Sequence, residues 1–232
     1  MFLGHYGVAL ALKRAEPKLS LGTLFVAVQL ADLLWGAFIL LGWEHARIVA
    51  GFTAVTPIEF LDYPISHSLV AAIVWGLVAA ALYYSWPTRD TTHHWQAAAI
   101  VGLAVFSHYP LDVLVHVADL PIAGNDSPKL GLGLWNNPTA TIIVELLVFG
   151  IGLALYVTLR SHRHPVRFVR LGVLVLVLVA TYLASVYGPL PPSMTVVAVS
   201  DIVFLVGVAA LAAWADRRAT PQELEAQRLS AR

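Results

Sequence analysis

Six stretches of about 20 mostly apolar residues run through this chain, and about 20 is the length a helix needs to cross a bilayer. They cover Leu21–Leu41, Ser68–Pro87, Gln96–Leu120, Thr139–Thr158, Phe168–Tyr187 and Met194–Trp214. Pro87, Pro121, Pro138, Pro165 and the Gly188–Pro192 run fall between them, where helix ends are expected. Open sheet edges cannot sit in lipid, so strands are not expected. The expected fold is all-α, a polytopic membrane helix bundle of about six transmembrane helices. Composition agrees: 12% of the 232 residues are charged and mean hydropathy is +0.76, against about 25% charged in a soluble domain.

The basic residues orient the bundle. With both termini cytoplasmic, twelve of the fourteen Lys and Arg lie inside, and only Arg47 and Lys129 lie outside. Residues 1–215 then form one transmembrane domain, followed by a polar cytoplasmic tail, 216–232. In that tail Thr220-Pro-Gln-Glu223 reads as a capping box. The expected location is a bacterial inner membrane. A net charge of zero argues against a nucleic-acid partner. The absence of cysteine excludes disulfides and thiolate metal sites. Trp35, Trp43, Trp86, Trp95, Trp135 and Trp214 lie near span ends and read mainly as an aromatic belt. His45, His93, His94, His162 and His164 fall in expected loops and read as solvated.

Ionisable residues inside the spans set the functional question. Asp32, Asp112, Glu145, Asp201, His67, His108 and His116 all fall there, with no Lys or Arg deep in a span. A charge at the bilayer centre costs roughly 2.5–3.5 kcal/mol on insertion scales. Four such carboxylates need protons, water or a cation, and a divalent cation would neutralise two charges while using imidazole nitrogens as ligands. In the expected orientation these groups gather in the outer half of the membrane. The densest signal is Ser107-His108-Tyr-Pro-Leu-Asp112-Val-Leu-Val-His116. Its His, Asp and His recur every four residues, each offset by about 40° from the last, so on one helix all three share a face within about 12 Å. A single intramembrane His or Asp, taken alone, often makes only an interhelical hydrogen bond.

Several of these residues sit in a wider pattern: Gly4-His5-Tyr6, Ala31-Asp32-Leu-Leu-Trp35, Asp62-Tyr-Pro-Ile-Ser-His67-Ser68, Ser107-His108 through Asp112 to His116, and Lys129-Leu-Gly-Leu-Gly-Leu-Trp135-Asn136. Over roughly the first 140 residues the chain resembles the bacterial membrane-bound metal-dependent hydrolases, which include LexA-regulated members, and within them a subgroup of about six spans. The order of its ligand types is also similar to that of zinc-dependent phospholipases C. The resemblance implies that His5, Asp32, His67, His108 and Asp112 are metal ligands. The chain departs from the broader family in having a single Asp at position 32 and the lead-in Asp62-Tyr63-Pro64-Ile65-Ser66. His116 and Glu145 are added from helix geometry and depth. The expected topology leaves His5 on the cytoplasmic side, so it reaches the others only if Met1–Leu12 re-enters the membrane against protein.

The expected activity is hydrolysis of a lipid or other amphiphilic phosphoester, with a divalent metal, zinc before manganese or iron, activating water. Asp112 or Glu145 would act as ligand or general base. Lys129, with Asp62 beside it, would meet the substrate from the outer loops, Lys129 anchoring phosphate or a developing oxyanion. Two other readings stand beside this one. The first is a transporter coupling through intramembrane His and carboxylates, for which a homo-oligomer would suffice. The second is an assembly protein whose polar residues bind neighbouring helices.

Overall fold

The computed structural model describes residues 1–86, 94–158 and 165–217. The capping box at 220–223 and His93, His162 and His164 lie outside them. The helices in chain order are α1 (Leu3–Ala15), α2 (Leu21–Val28), α3 (Leu30–Leu41), α4 (Pro64–His67), α5 (Leu69–Ser85), α6 (His94–Phe106), α7 (His108–Val115), α8 (Pro138–Val157), α9 (Pro165–Tyr187) and α10 (Met194–Asp216). Local chemistry sets several starts. Ser68 Oγ accepts from the Ala71 N–H to open α5, Asn137 Oδ1 accepts from Ala140 ahead of Pro138 to open α8, and Ser193 Oγ does the same for α10.

Among the described residues four helices are long and apolar enough to cross a membrane: α6–α7 taken together (His94–Val115), α8, the Phe168–Tyr187 part of α9, and α10. The pair α2–α3 makes a fifth when counted as one span. This marks the chain as an integral membrane protein. α5, at 17 residues, is apolar but shorter.

The structure differs from the sequence reading in four places. The first expected span is not one helix: it bends by 55° between α2 and α3, where the polar Gln29 leaves helical geometry at φ −111°, ψ 13°. The third ends at Val115, because His116 turns extended at ψ 149°. Strands also occur, as two short antiparallel ladders. β1 (His45–Ile48) pairs with β2 (Ile58–Asp62), and β3 (Leu120–Pro121) with β4 (Lys129–Leu130). Both lie in connections outside the spanning helices. The fourth difference is α1. It belongs to none of the expected spans, yet Leu3, His5, Tyr6, Ala9 and Leu10 are essentially inaccessible.

Two glycines bring α1 in. A Cβ at Gly7 would sit 2.6 Å from the Val148 carbonyl oxygen, and one at Gly152 would collide with the Gly7 carbonyl. Small residues at facing positions let α1 and α8 backbones touch, the usual means of close helix association in lipid. The main apolar core joins α1 (Leu3, Tyr6, Leu10) with α2 (Leu24, Phe25), α6 (Val101, Val105), α8 (Phe149), α9 (Leu174, Leu178) and α10 (Leu205, Val208).

Candidate metal centre

Five side chains from four segments meet beside the N-terminal half of α1. α1 supplies His5, α3 supplies Asp32, α4 supplies His67, and α7 supplies His108 and Asp112. His5, His67, His108 and Asp112 are buried, while the Asp32 side chain keeps 27% of its surface accessible. Two overlapping triads, His5–Asp32–His108 and His67–His108–Asp112, have ligand atoms all within 4.8 Å of one another.

The contacts run through the two carboxylates. His108 Nε2 lies 2.9 Å from Asp112 Oδ2 and 3.6 Å from Asp32 Oδ1. His67 Nε2 lies 3.2 Å from Asp32 Oδ1 and 3.9 Å from Asp112 Oδ2. His5 Nε2 lies 3.1 Å from Asp112 Oδ1, which also meets the Met1 amino group. The His5 and His108 rings stack in parallel, 4.0 Å apart. A metal with bonds of about 2.1 Å holds its ligand atoms roughly 3.0–3.4 Å apart, by the geometry of octahedral or tetrahedral coordination. Most of the distances here are close to that spacing.

The outer contacts of two imidazoles fix which nitrogen faces inward. His108 Nδ1 is 2.7 Å from the Val28 carbonyl oxygen and donates to it. That carbonyl ends α2, where the last turn has no intrahelical donors to offer, so the bend at Gln29 creates the acceptor. His67 Nδ1 is 2.7 Å from Ser66 Oγ, and Ser66 Oγ in turn donates to Glu44 Oε2 at 2.6 Å. Glu44 is buried, and its Oε1 accepts from the Ile65 and Ser66 N–H groups at 2.8 Å each. Burial is the larger influence on the Glu44 carboxyl and holds it above its ordinary value, against the pull of the Ser66 bonds.

With Nδ1–H given to the Val28 carbonyl, a neutral His108 presents an Nε2 lone pair to the carboxylate oxygens, while His67 Nε2 lies within hydrogen-bond distance of Asp32 Oδ1 at 3.2 Å. His108 Nε2 has no hydrogen-bond partner, since its approach to Asp112 is too oblique for one. Lone pairs facing carboxylates at these distances repel unless a cation lies between them. Either a proton on each ring or one shared metal ion meets that need. The donor set, three imidazole nitrogens and two carboxylates, fits a divalent first-row metal, and the His108–Val28 and His67–Ser66–Glu44 contacts are of the kind that orient metal-bound imidazoles.

The other residues singled out from sequence are placed as follows. His116 is buried beside the cluster with Nε2 3.9 Å from Asp112 Oδ2, but belongs to neither triad. Its Nδ1 is held by Asp119 Oδ1 at 3.0 Å, and its ring lies 4.2 Å from that of Trp135. Because α7 stops at Val115, the shared helical face covers only His108 and Asp112. Glu145 is buried in α8 and accepts from the Phe2 and Gly4 N–H groups, both at 2.7 Å, so it holds the start of α1. Asp201 lines the same cavity as Asp32. Asp62 sits in β2 beside His45, 3.6 Å away, and accepts from Asn125. Lys129 is exposed in β4. Neither Asp62 nor Lys129 lines the cavity at the cluster.

Sequence reasoning did not single out Glu44. It is one loop carboxylate after Trp43, and nothing in its spacing relates it to His67. Trp35 and Trp135 were grouped with the aromatic belt. Trp43, Trp86 and Trp95 are well exposed, but Trp35 is only 4% exposed, and it and Trp135 line the cavity. Burial and pressure from Asp119 push the Tyr63 phenol up, so it stays protonated beside His116, 3.5 Å from Nδ1. Comparison with family models, with curated proteins and with solved structures finds no match.

Proposed function

We propose that this chain is a membrane-embedded metal-dependent hydrolase, the reading its resemblance to the bacterial membrane-bound hydrolases implies. The observation that supports it most is the convergence of the His5, His67 and His108 Nε2 atoms on Asp32 and Asp112, with the Nδ1 atoms of His67 and His108 engaged by Ser66 and the Val28 carbonyl. His5, Asp32, His67, His108 and Asp112 would hold a divalent ion, zinc first, with manganese or iron as alternatives suited to five ligands. Such an ion supplies Lewis acidity and brings the pKa of bound water toward about 7. Asp32, the most accessible of the five, borders the cavity from which substrate would enter. His116, steadied by Asp119, borders the same cavity and is placed to carry a proton to or from the reacting group.

The membrane setting completes the proposal. α5 would serve as a sixth span, both termini would be cytoplasmic as the distribution of Lys and Arg implies, and the location would be a bacterial inner membrane. The substrate would be a lipid or other amphiphilic ester, phosphoesters included, reached in the outer half of the membrane. Metal content of purified protein tests this, with His108→Ala plus Asp112→Ala as the control. Bound metal near one ion per chain, lost in the double variant, supports it. Equal, near-zero metal in both removes it.

A second reading, an ion- or proton-coupled transporter, draws on the bend between α2 and α3 beside Asp32. Broken helices at mid-membrane are how many transporters build their sites. Proton flux into liposomes that stops with Asp112→Asn, in protein that carries no metal, would favour it.

A further inference from the structure

A cavity of about 640 Å³ lies against one side of the ligand set. This is in the size range of small-molecule sites. Asp32, His67 and Asp112 line one part of it, and α9 and α10 line another. On α9 the lining begins at Thr181, about 9 Å before the helix ends, and on α10 it reaches Phe204, about 15 Å after the helix starts. Both helices carry a stretch long and apolar enough to cross a membrane. The cavity therefore descends from the connecting loops to the depth that lipid chains occupy.

α9 and α10 are packed unevenly along their lengths. Far from the 188–193 connection, Leu171, Leu174 and Leu178 of α9 share one buried core with Leu205, Val208 and Ala212 of α10. Between Leu178 and the connection only Tyr182 of α9 is buried, and between the connection and Leu205 only Ala198 of α10. Ala198 belongs to a different contact, with its carbonyl against Gly36 of α3. The cavity lies between these two half-helices, and Ala184, Ser185 and Ser200 are exposed where they line it. The surface here suits an apolar occupant. Ala184, Val186, Val197 and Phe204 are apolar, and the Ser185 and Ser200 hydroxyls donate back to the Tyr182 and Val197 carbonyls at 2.8 and 3.0 Å. Asp201 is within Coulombic reach of Asp32, so the polar lining of α10 lies toward the ligand set.

We propose that the cleft between these half-helices seats one hydrocarbon chain of a bilayer lipid, which enters sideways between α9 and α10 with its polar end toward Asp32. Hydrocarbon is the solvent at this depth, so an apolar cleft between two spanning helices fills with a lipid chain in place of water. The chain site stands on the cleft alone, and only a reaction at Asp32 rests on the hydrolase reading.

Photo-crosslinking tests this. The full chain is placed in phosphatidylglycerol vesicles doped with the same lipid carrying a diazirine midway along one chain, and labelled residues are mapped by mass spectrometry. Wild type should be labelled at Ala184, Val197 and Phe204 in the cleft as well as at Leu176 and Val203, which are well exposed and do not line it. Ser200→Trp fills the cleft from α10 and should cut the three cleft labels at least about fivefold, with Leu176 and Val203 labelled as before. Ser185→Trp, from the α9 wall, should act alike. Val203→Trp, on the same helix but off the cavity, should leave the cleft labels unchanged. Wild-type label confined to residues outside the cavity, or cleft label that both filling variants leave intact, overturns the chain site and leaves the hydrolase reading standing. Cleft label that responds to both variants, in a protein that takes up no metal, supports the chain site and overturns the hydrolase reading.

Discussion

Lys13 near one end of α1 and His5 near the other are both buried, but their surroundings differ. At the Lys13 end a cation and an anion complete each other. Lys13 Nζ lies 2.6 Å from Asp216 Oδ2 and donates to the Pro17 and Leu19 carbonyls, which occupies all three of its hydrogens. Asp216 also accepts from the Tyr156 hydroxyl at 3.1 Å. At the His5 end, three imidazoles and two carboxylates converge; the Met1 amino group meets Asp112, but among the described residues no Lys or Arg side chain answers the cluster. The protein can therefore satisfy a buried carboxylate from its own residues where structure alone requires it. The second cluster follows a different rule, the one the proposed metal ion would supply.

The largest effect should come from breaking the complete pair. Lys13→Met takes the Lys13 cation from the largely buried Asp216 carboxylate, which keeps the Tyr156 hydroxyl, and should cost about 3–5 kcal/mol of stability, read by unfolding in detergent. Metal bound per folded molecule should not change. If metal is lost too, the two ends are not independent and the comparison fails.

Next in size is the response to metal itself. At a free concentration of 100 times Kd, a metal that binds only the folded protein adds about 2.7 kcal/mol. Wild type should show that gain as a raised unfolding temperature, reversed by chelator. His108→Ala should show none. A similar gain in His108→Ala would place metal somewhere other than this cluster.

A smaller effect should follow from the contacts behind the ligands. Ser66→Ala cuts the link between His67 Nδ1 and Glu44 while leaving Glu44 its two backbone N–H donors. Metal affinity should fall roughly 10–100-fold, with Ser66→Thr restoring most of it. An unchanged affinity in Ser66→Ala would mean that the relay only packs the loop. His116→Ala should matter least, changing metal affinity by no more than about threefold, because His116 lies outside both triads. A loss as large as that of His108→Ala would make it a ligand.

How far the sequence carried these conclusions depended on the residue. Apolar runs located four spanning helices and the bent α2–α3 pair, because lipid demands length and composition together, while α5 falls short of the length. Asp32, His67, His108 and Asp112 stood out because polar groups in such runs need a reason. His5 did not, except through the family resemblance, since a short helix of ordinary hydropathy gives no sign of burial. It is carried into the centre by the Gly7–Gly152 contact, which is a property of two helices and not of either one. The regular spacing from His108 to His116 assumed a helix that the chain ends at Val115. Glu44 was invisible because its role comes from a fold-back of 22 residues onto Ser66. Lys129 and Asp62 are close to the site in sequence order, but neither lines the cavity: Asp62 meets His45 and Asn125, and Lys129 is exposed in β4.

The most direct test of the central claim is X-ray absorption at the metal edge on zinc-loaded wild-type protein. One ion per chain should show about three imidazole ligands together with carboxylate oxygen, at about 2.0–2.2 Å. A spectrum without imidazole scattering, or no retained ion at all, would contradict it.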